Sequence, residues 1–418
     1  MSSTERRNLG QLLDRVAGGG TPDRSNPDYW DGDIPWATVK DLRDGIHELL
    51  ETQEQITHSG LAASAARIIE PGIPILCTRM AVGRIATARF PVAINQDLKA
   101  LYPVESVDPE YLVRAIESLR PLIEAYSIGS TVVGISLDQL RSFSVFLPDR
   151  REQETIVVVL SAIDKAIEQT EAIIAKQRRI KTGLMQDLLT RGIDEHGNIR
   201  SEETHAFKES PLGRIPAEWD VRPLSELAII DRGKFTHRPR DDPRFYGGDL
   251  PFIQTGDVTS HIGRRLRTYS QTLNASGAKV SKEFPRSTIA ITIAANIADT
   301  AILDIPMYFP DSVVGAIVLE PHSVRFVEMA IRIRKSALDA LAPKSAQKNI
   351  NLQTLRPLLL PAPVPEEQSR IAEIYESMEQ RLLANKRSLS KLISEKAALM
   401  QDLLTGKVRV TPLLEVGA

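Results

Sequence analysis

The sequence predicts an α+β protein of two α/β domains, each followed by a long helix, with the two helices pairing as an antiparallel coiled coil. Three observations predict it: an internal duplication, a proline-free apolar stripe that recurs in both copies, and a length of 418 residues, beyond what one hydrophobic core sustains. The duplication is plainest where Leu184-Met185-Gln186-Asp187-Leu188-Leu189-Thr190 recurs letter for letter as Leu399-Met400-Gln401-Asp402-Leu403-Leu404-Thr405, an offset of 215. The same offset aligns Glu152-Gln153 with Glu367-Gln368 and Ile135-Ser136-Leu137 with Ile350-Asn351-Leu352. Nearer the start of each copy it slips by one, matching Gly32-Asp33-Ile34-Pro35-Trp36 to Gly248-Asp249-Leu250-Pro251-Phe252 and Asp41 to Asp257. A period this long is too large for a solenoid repeat and marks two copies of a whole domain with its connecting element.

In chain order the first element is a mixed α/β domain over 1–148. Its strand candidates are Pro35 to Val39 and Ile73 to Thr78, and a helix is expected from Asp108-Pro109, a capping residue followed by proline, through to Tyr126. A long helix follows over 149–191. Its apolar residues Ile156, Leu160, Ile163, Ile167, Ile174, Leu184 and Leu188 are spaced as a heptad seam, interrupted at Thr170, Gln177 and Lys181. Pro148 precedes it and Gly192 follows it. Residues 192–215 read as an irregular linker with Gly197, Pro211 and Gly213. The second domain, 216–362, contains the β-rich Ile289-Ala290-Ile291-Thr292-Ile293. The second long helix, 363–406, starts at Pro363-Val364-Pro365-Glu366-Glu367, with first-turn carboxylates suited to a helix N-terminus. It repeats the seam as Ile371, Tyr375, Met378, Leu382, Leu389, Leu399 and Leu403, with polar breaks at Asn385 and Lys396, and ends before Gly406 and a tail over 407–418. About 40 residues at 1.5 Å each make helices of about 60 Å, and two such stripes in one chain are most simply buried against each other.

Composition excludes several classes of function. No apolar run approaches the roughly 18 residues of a membrane helix, and Met1 to Arg7 leads into no secretory signal, so a soluble, cytoplasmic protein is expected. The single cysteine, Cys77, lies in an apolar run and reads as core. No catalytic motif of a methyltransferase is found: Asn26-Pro27-Asp28-Tyr29 has aspartate where a second proline belongs and reads as a turn. Gly18-Gly19-Gly20-Thr21-Pro22 lacks the Gly-Lys-Ser/Thr ending of a phosphate loop and reads as a flexible loop. Asp97-Leu98-Lys99 has no partner carboxylate for a nuclease metal site, and no metal is expected.

The net charge of −2 offers nucleic acid no global attraction, so DNA binding has to come from local basic surfaces. Between Asp231 and Arg286 eleven basic residues face six acidic ones, a local balance of +5, interleaved with Phe235, Phe245, Tyr246 and Tyr269, which suit a surface that packs on DNA, although core packing is the commoner role for any one of them. Residues 1–148 carry fourteen basic and nineteen acidic residues, leaving only a small cluster of Lys40, Arg43, Arg79, Arg84 and Arg89.

Taken together, these residues resemble the specificity subunits of type I restriction-modification systems over nearly the whole chain. Ser210-Pro211-Leu212-Gly213-Arg214-Ile215-Pro216-Ala217-Glu218-Trp219 resembles the entry to a target-recognition domain. Leu360-Pro361 to Glu367-Gln368-Ser369-Arg370-Ile371-Ala372 resembles the start of the family's conserved helix, and Leu-Met-Gln-Asp-Leu-Leu-Thr its end. The first copy departs from the pattern in having fewer prolines at Pro148-Asp149-Arg150-Arg151 and Val132 where the second has Gln347. The resemblance implies two target-recognition domains, each reading one half of a bipartite, asymmetric double-stranded DNA site, with the helices fixing the spacer. It also implies two methylation subunits and restriction/motor subunits as partners. S-adenosylmethionine, ATP and Mg would be bound by those partners, and catalysis would be theirs. The residues expected to touch DNA are Lys40, Arg43, Arg79, Arg84, Arg264, Arg265, Lys279, Lys344, Gln347 and Lys348, as Arg, Lys and Gln in loops can pair with base edges or phosphates.

Overall fold

The computed structural model describes residues 6–127, 134–237, 240–294, 296–341 and 349–411. The chain forms two compact units, Met1–Ala172 with Lys386–Ala418, and Ile173–Asn385. These units cut across the linear division drawn from the repeat: each gathers one α/β domain, the first part of the long helix that follows it, and the last part of the other long helix. The long helices run over Arg150–Thr190 and Pro365–Leu403. Among the described residues, no helix is long and apolar enough to cross a membrane.

The two α/β domains have one topology. In the first unit a five-stranded sheet runs in the order Leu13–Gly18, Leu98–Pro103, Ile75–Cys77, Ile85–Ala88, Glu48–Leu49, and a four-stranded sheet in the order Glu54–Ile56, Trp30–Ala37, Val92–Ile94, Arg67–Ile69. In the second unit the corresponding orders are Ala228–Arg232, Val313–Val318, Ile289–Thr292, Thr300–Leu303, Arg265–Leu266, and Gln271–Leu273, Tyr246–Phe252, Met307–Phe309, Lys282–Phe284. Each sheet pairs its strands antiparallel except once, and the parallel pairs also correspond: Trp36↔Ala93 with Phe252↔Tyr308, and Glu48↔Thr87 with Arg265↔Ile302. Ile289–Thr292 is buried at all four positions because it lies inside its sheet, so its alternation of large and small residues does not mark a solvent face.

The helix expected from Pro109 to Tyr126 is two helices, Pro109–Ser118 and Arg120–Ser127. Pro121 explains the break, since its ring has no N–H to donate and clashes with the preceding turn. Asp108 caps the first of them by accepting from the amides of Glu110 and Tyr111, and Ser323 caps the counterpart, Val324–Ile333. Gly18-Gly19-Gly20 is closely packed backbone, not an open loop: a Cβ on Gly19 would stand 1.8 Å from the Ile94 carbonyl oxygen, and the Gly20 amide donates to that oxygen at 3.0 Å. Pro27–Tyr29 is a single 3-10 turn capped by Asn26. Cys77 is fully buried, and burial pushes its thiol up to about 12.

Each unit's core joins its domain to both helix segments. Leu9, Leu101, Leu112 and Ile116 pack with Ile156, Leu160, Leu403 and Leu404 in the first unit. Trp219, Phe326 and Ile331 pack with Leu188, Leu189, Ile371 and Tyr375 in the second. At about 1.5–3 kcal/mol for each fully buried aliphatic side chain, these contacts dominate the attachment of helix to domain. Every seam residue of both long helices is buried or half-buried.

Candidate nucleic-acid interface

The repeated Glu-Gln pair fastens each domain to the helix that follows it. Gln153 accepts from the Asp108 amide at 2.8 Å and donates to the Pro148 carbonyl at 2.9 Å, while Gln368 accepts from the Ser323 amide at 3.1 Å and donates to the Pro363 carbonyl at 2.8 Å. Both glutamines therefore bridge a helix N-cap residue and the chain entering the long helix. The glutamates hold the segment that emerges from the end of the other long helix. Glu152 binds Arg409 at 2.5–3.1 Å and the Val410 amide at 3.2 Å. Glu367 binds Arg200 at 2.5 and 3.2 Å, the Ile193 amide at 3.0 Å and the Trp219 indole N–H at 3.1 Å. Gly192 lies against this second site at φ +64, where a Cβ would meet both Trp219 and Glu367. The duplication displayed these residues without stating their task. A polar pair repeated outside the apolar seam was the available signal.

Four of the five polar breaks in the seam form cross-helix pairs. Lys181 meets Glu379, and Gln177 accepts from Asn385 at 3.0 Å, in the second unit. In the first unit Lys396, which the repeat aligns with Lys181, meets Asp164 at 2.8 Å. With one partner's number rising as the other's falls, these contacts set the segments antiparallel and fix their register. Thr170 instead donates to the Ala166 carbonyl of its own helix.

The basic residues expected at DNA lie on different elements in the two units. In the first unit, loop 38–47 carries exposed Lys40 and Arg43. Asp41 shapes it by accepting from the Thr38 amide at 2.7 Å and the Gln53 amide at 2.8 Å. Arg84 does not stand free. It forks onto Asp44 at 2.7 and 3.1 Å and donates to the Leu42 carbonyl at 3.2 Å, so it clamps the loop that bears Arg43. Hydrogen bonds from Arg84, and then from Arg120, hold the Asp44 carboxyl below its ordinary range against a smaller opposing effect of burial. Arg89 lies apart from this loop cluster, paired with Glu48. Arg79 is exposed on the turn after Ile75–Cys77, 3.9 Å from Asp97.

In the second unit, segment 253–264 is shaped by Asp257, which accepts from the Gln254 amide at 2.7 Å. Arg264 is exposed and donates to the Ser260 carbonyl; Arg265, also exposed, stands 4.0 Å from Glu376; Lys279 is exposed at the end of the helix Ala275–Val280. Lys344, Gln347 and Lys348 lie outside the described residues.

The structure thins the basic patch of 231–286. Arg240 pairs with Asp311, Arg244 with Asp242, Lys282 with Asp231 and Arg286 with Asp304. Among the described residues, Arg232, Lys234, Arg264, Arg267 and Lys279 are in no ion pair with a carboxylate, Arg232 donating instead to the Asp311 carbonyl. Three of the four interleaved aromatics are interior, with Phe235 buried and Phe245 and Tyr246 packed on it, leaving Tyr269 exposed. Apolar rings bury area whenever a core is within reach, which the charge pattern around them did not reveal. An open polar cleft of about 440 Å³ lies in the first unit, lined by Arg24, Trp30, Asp31 and Glu54 among others; Arg24 stacks 4.0 Å over the Trp30 ring and forks onto Glu54. Among the described residues no group of His, Cys, Asp and Glu is arranged to hold a metal ion.

Comparison with known proteins identifies the family and the fold. The chain matches the family model of the type I restriction modification DNA specificity domain twice, over residues 1–176 and 216–393. It is 23% identical over 416 residues to the type I restriction enzyme MjaIX specificity subunit of Methanocaldococcus jannaschii, covering 96% of this chain and 93% of that one. Its fold is similar to the crystal structure of the type I restriction-modification S subunit from M. genitalium, with a TM-score of 0.58 at 15% identity and coverage of 96% and 95%. It is also similar to a chain from a structure on complex assembly and conformational transition of the type I system, with a TM-score of 0.60 at 16% identity and coverage of 96% and 98%.

Proposed function

As the chain belongs to the type I restriction-modification DNA specificity family, we propose that each of its two domains reads one half of a bipartite, asymmetric site in double-stranded DNA. Specificity subunits are non-catalytic, and the catalytic activities of these systems lie on other subunits. On our reading the chain positions two methylation subunits and the restriction/motor subunits at that site, in the cytoplasm. Those partners bind S-adenosylmethionine, ATP and Mg. The two long helices fix the length of the unread spacer.

One observation carries the asymmetry: a single scaffold occurs twice with different side chains at equivalent loop positions. Lys40 and Arg43, in loop 38–47, stand where the second copy has Gly256 and Thr259 on the short helix Thr255–Ser260, each segment being shaped by the corresponding Asp41 or Asp257. Arg79 and Ala294 form the same isolated bridge, to Gly134 and Asn349. Different donors on one frame select different base edges, so the two half-sites differ. We assign DNA contact to Lys40, Arg43, Arg79, Arg264, Arg265 and Lys279 among the described residues, with Lys344, Gln347 and Lys348 beyond them. Methylation mapping of genomic DNA from cells with and without this gene, the cognate methylation subunit being present, tests the reading. Loss of adenine methylation at one non-palindromic, two-part motif of fixed spacing is expected; an unchanged methylome overturns it.

A further inference from the structure

Each of the two loops ends against a buried ionic group that continues into a long helix. Loop 38–47 closes on His47, whose Nδ1 is 2.8 Å from Arg114 and whose Nε2 is 2.7 Å from Glu117, both on the helix Pro109–Ser118. Arg114, with 7% of its side chain exposed, reaches Asp164 of the first long helix and Ser161 Oγ at 3.2 Å. Asp164 in turn meets Lys396 of the second long helix. Burial alone would raise the carboxyls of Glu117 and Asp164. The His47 imidazole beside Glu117, the Lys396 ammonium on Asp164, and the charges of Arg114 and Lys396 on both outweigh it, so both lie below their ordinary range.

The second unit makes the same connection from other residues. Arg325, 9% exposed, donates to the Gly263 carbonyl at 3.0 Å, at the end of segment 253–264, and pairs with Glu376 of the second long helix at 3.2 Å. Glu328, fully buried, binds Arg325 at 3.1 Å and Arg332 at 2.9 Å, and Arg332 donates to the Tyr375 hydroxyl at 2.9 Å. The repeat aligns Arg114 with Met329 and Arg325 with Glu110, so neither guanidinium descends from the other's position. A buried ion pair stabilises a fold poorly, since desolvation offsets most of the attraction, but its geometry is directional. Two diverged copies have thus reached one linkage, from loop end to helix guanidinium to long-helix carboxylate, by different residues. Stability alone does not require that, because apolar packing would supply it at either place.

We propose that Arg114, through His47, and Arg325, through Gly263, are positioning residues for DNA reading: each fixes the recognition loop of its own domain to a long-helix carboxylate. This rests on the function proposed above. A base contact discriminates only if its side chain is held to a fraction of an ångström; buried Leu42, Ile253 and Val258 anchor the middle and start of these segments, and the ionic links fix their ends.

The test uses the full-length chain with its cognate methylation subunits in cells lacking the native gene, reading methylation at cognate sites and at sites with one altered base. Arg114→Gln and His47→Ala are each expected to raise methylation at sites altered in one half of the motif by about tenfold relative to cognate sites, leaving the other half and the spacing unchanged. Arg325→Gln is expected to do so in the other half only. Arg114→Lys, which keeps the cation beside Asp164 without the fork, is expected to fall between. If Arg114→Gln yields no soluble protein, His47→Ala decides, because it leaves the Arg114–Asp164–Lys396 chain in place. A motif as sharp as wild type in His47→Ala, an even loss over cognate and altered sites, or blurring of both halves by one variant overturns the proposal. A wild-type chain that directs no two-part methylation overturns the underlying reading of function, and the proposal with it.

Discussion

The two domains are copies in backbone and strangers in side chain. The hairpin after Ile75–Cys77 and its counterpart after Ile289–Thr292 keep the same hydrogen bonds, Cys77 N to Arg84 O with Gly83 N to Cys77 O, and Thr292 N to Asp299 O with Ala298 N to Thr292 O. They also keep a left-handed residue in the same place, Gly83 at φ 87 and Ala298 at φ 60. Yet Arg84 clamps a loop through Asp44, while Asp299 pairs with Lys335 and accepts from Thr259 at 2.8 Å. Backbone bonding sets the frame and tolerates nearly any surface, so the surface is free to diverge without disturbing the fold.

The sharpest way to test that contrast is at the paired glutamates, where the frame is shared and the burial is not. Glu367→Ala leaves Arg200, only 8% exposed, with Glu218 as its remaining carboxylate and unpairs the Ile193 amide and the Trp219 indole; a loss of about 3 kcal/mol is expected in the second unit. Glu152→Ala is expected to cost about 2 kcal/mol, because Arg409 is 38% exposed and water can solvate it. Denaturant unfolding followed by fluorescence separates the two, Trp219 reporting on the second unit and Trp30 and Trp36 on the first. Equal midpoint shifts would break the comparison.

On the DNA side, replacing both Arg264 and Arg265 by glutamine is expected to weaken binding about tenfold and to reduce the slope of log affinity against log salt by about 2. Binding titrations of the assembled complex over a salt series measure both; an unchanged slope removes these arginines from the interface. The smallest effect expected is with pH. Glu117 and Asp164 titrate below their ordinary range in the folded first unit, so they stabilise it fully above the unfolded carboxylate value of about 4, and that contribution is lost as pH falls through the lower folded values. Asp164→Asn is expected to flatten the acid limb of first-unit unfolding while leaving that of the second unit as it was. Identical acid limbs in variant and wild type would show that Asp164 contributes nothing.

Much of the frame was legible because repetition and periodicity are properties of the chain itself. An offset of 215 identified two domains, a seven-residue spacing identified both long helices, and Pro148, Gly192, Pro363 and Gly406 marked their ends. The site was legible only as residue types. Arg84 was legible as a cation but not as the clamp of loop 38–47, because a free cation and a loop clamp have the same letter. Phe235 could belong to a surface or to the core, because a ring's neighbours in sequence are not its neighbours in space. Arg114 and Arg325 carried no signal at all, since the two copies place them at unrelated positions.

By itself the sequence determined what local rules and self-similarity control: the number of domains, the long helices, their apolar faces and the family. Only the tertiary structure decided which polar groups meet. Lys181 finds Glu379 at a separation of 198 residues and Glu152 finds Arg409 at 257. A charge far apart in sequence is paired or free according to what folding brings beside it, and burial, not identity, then sets what breaking that pair costs.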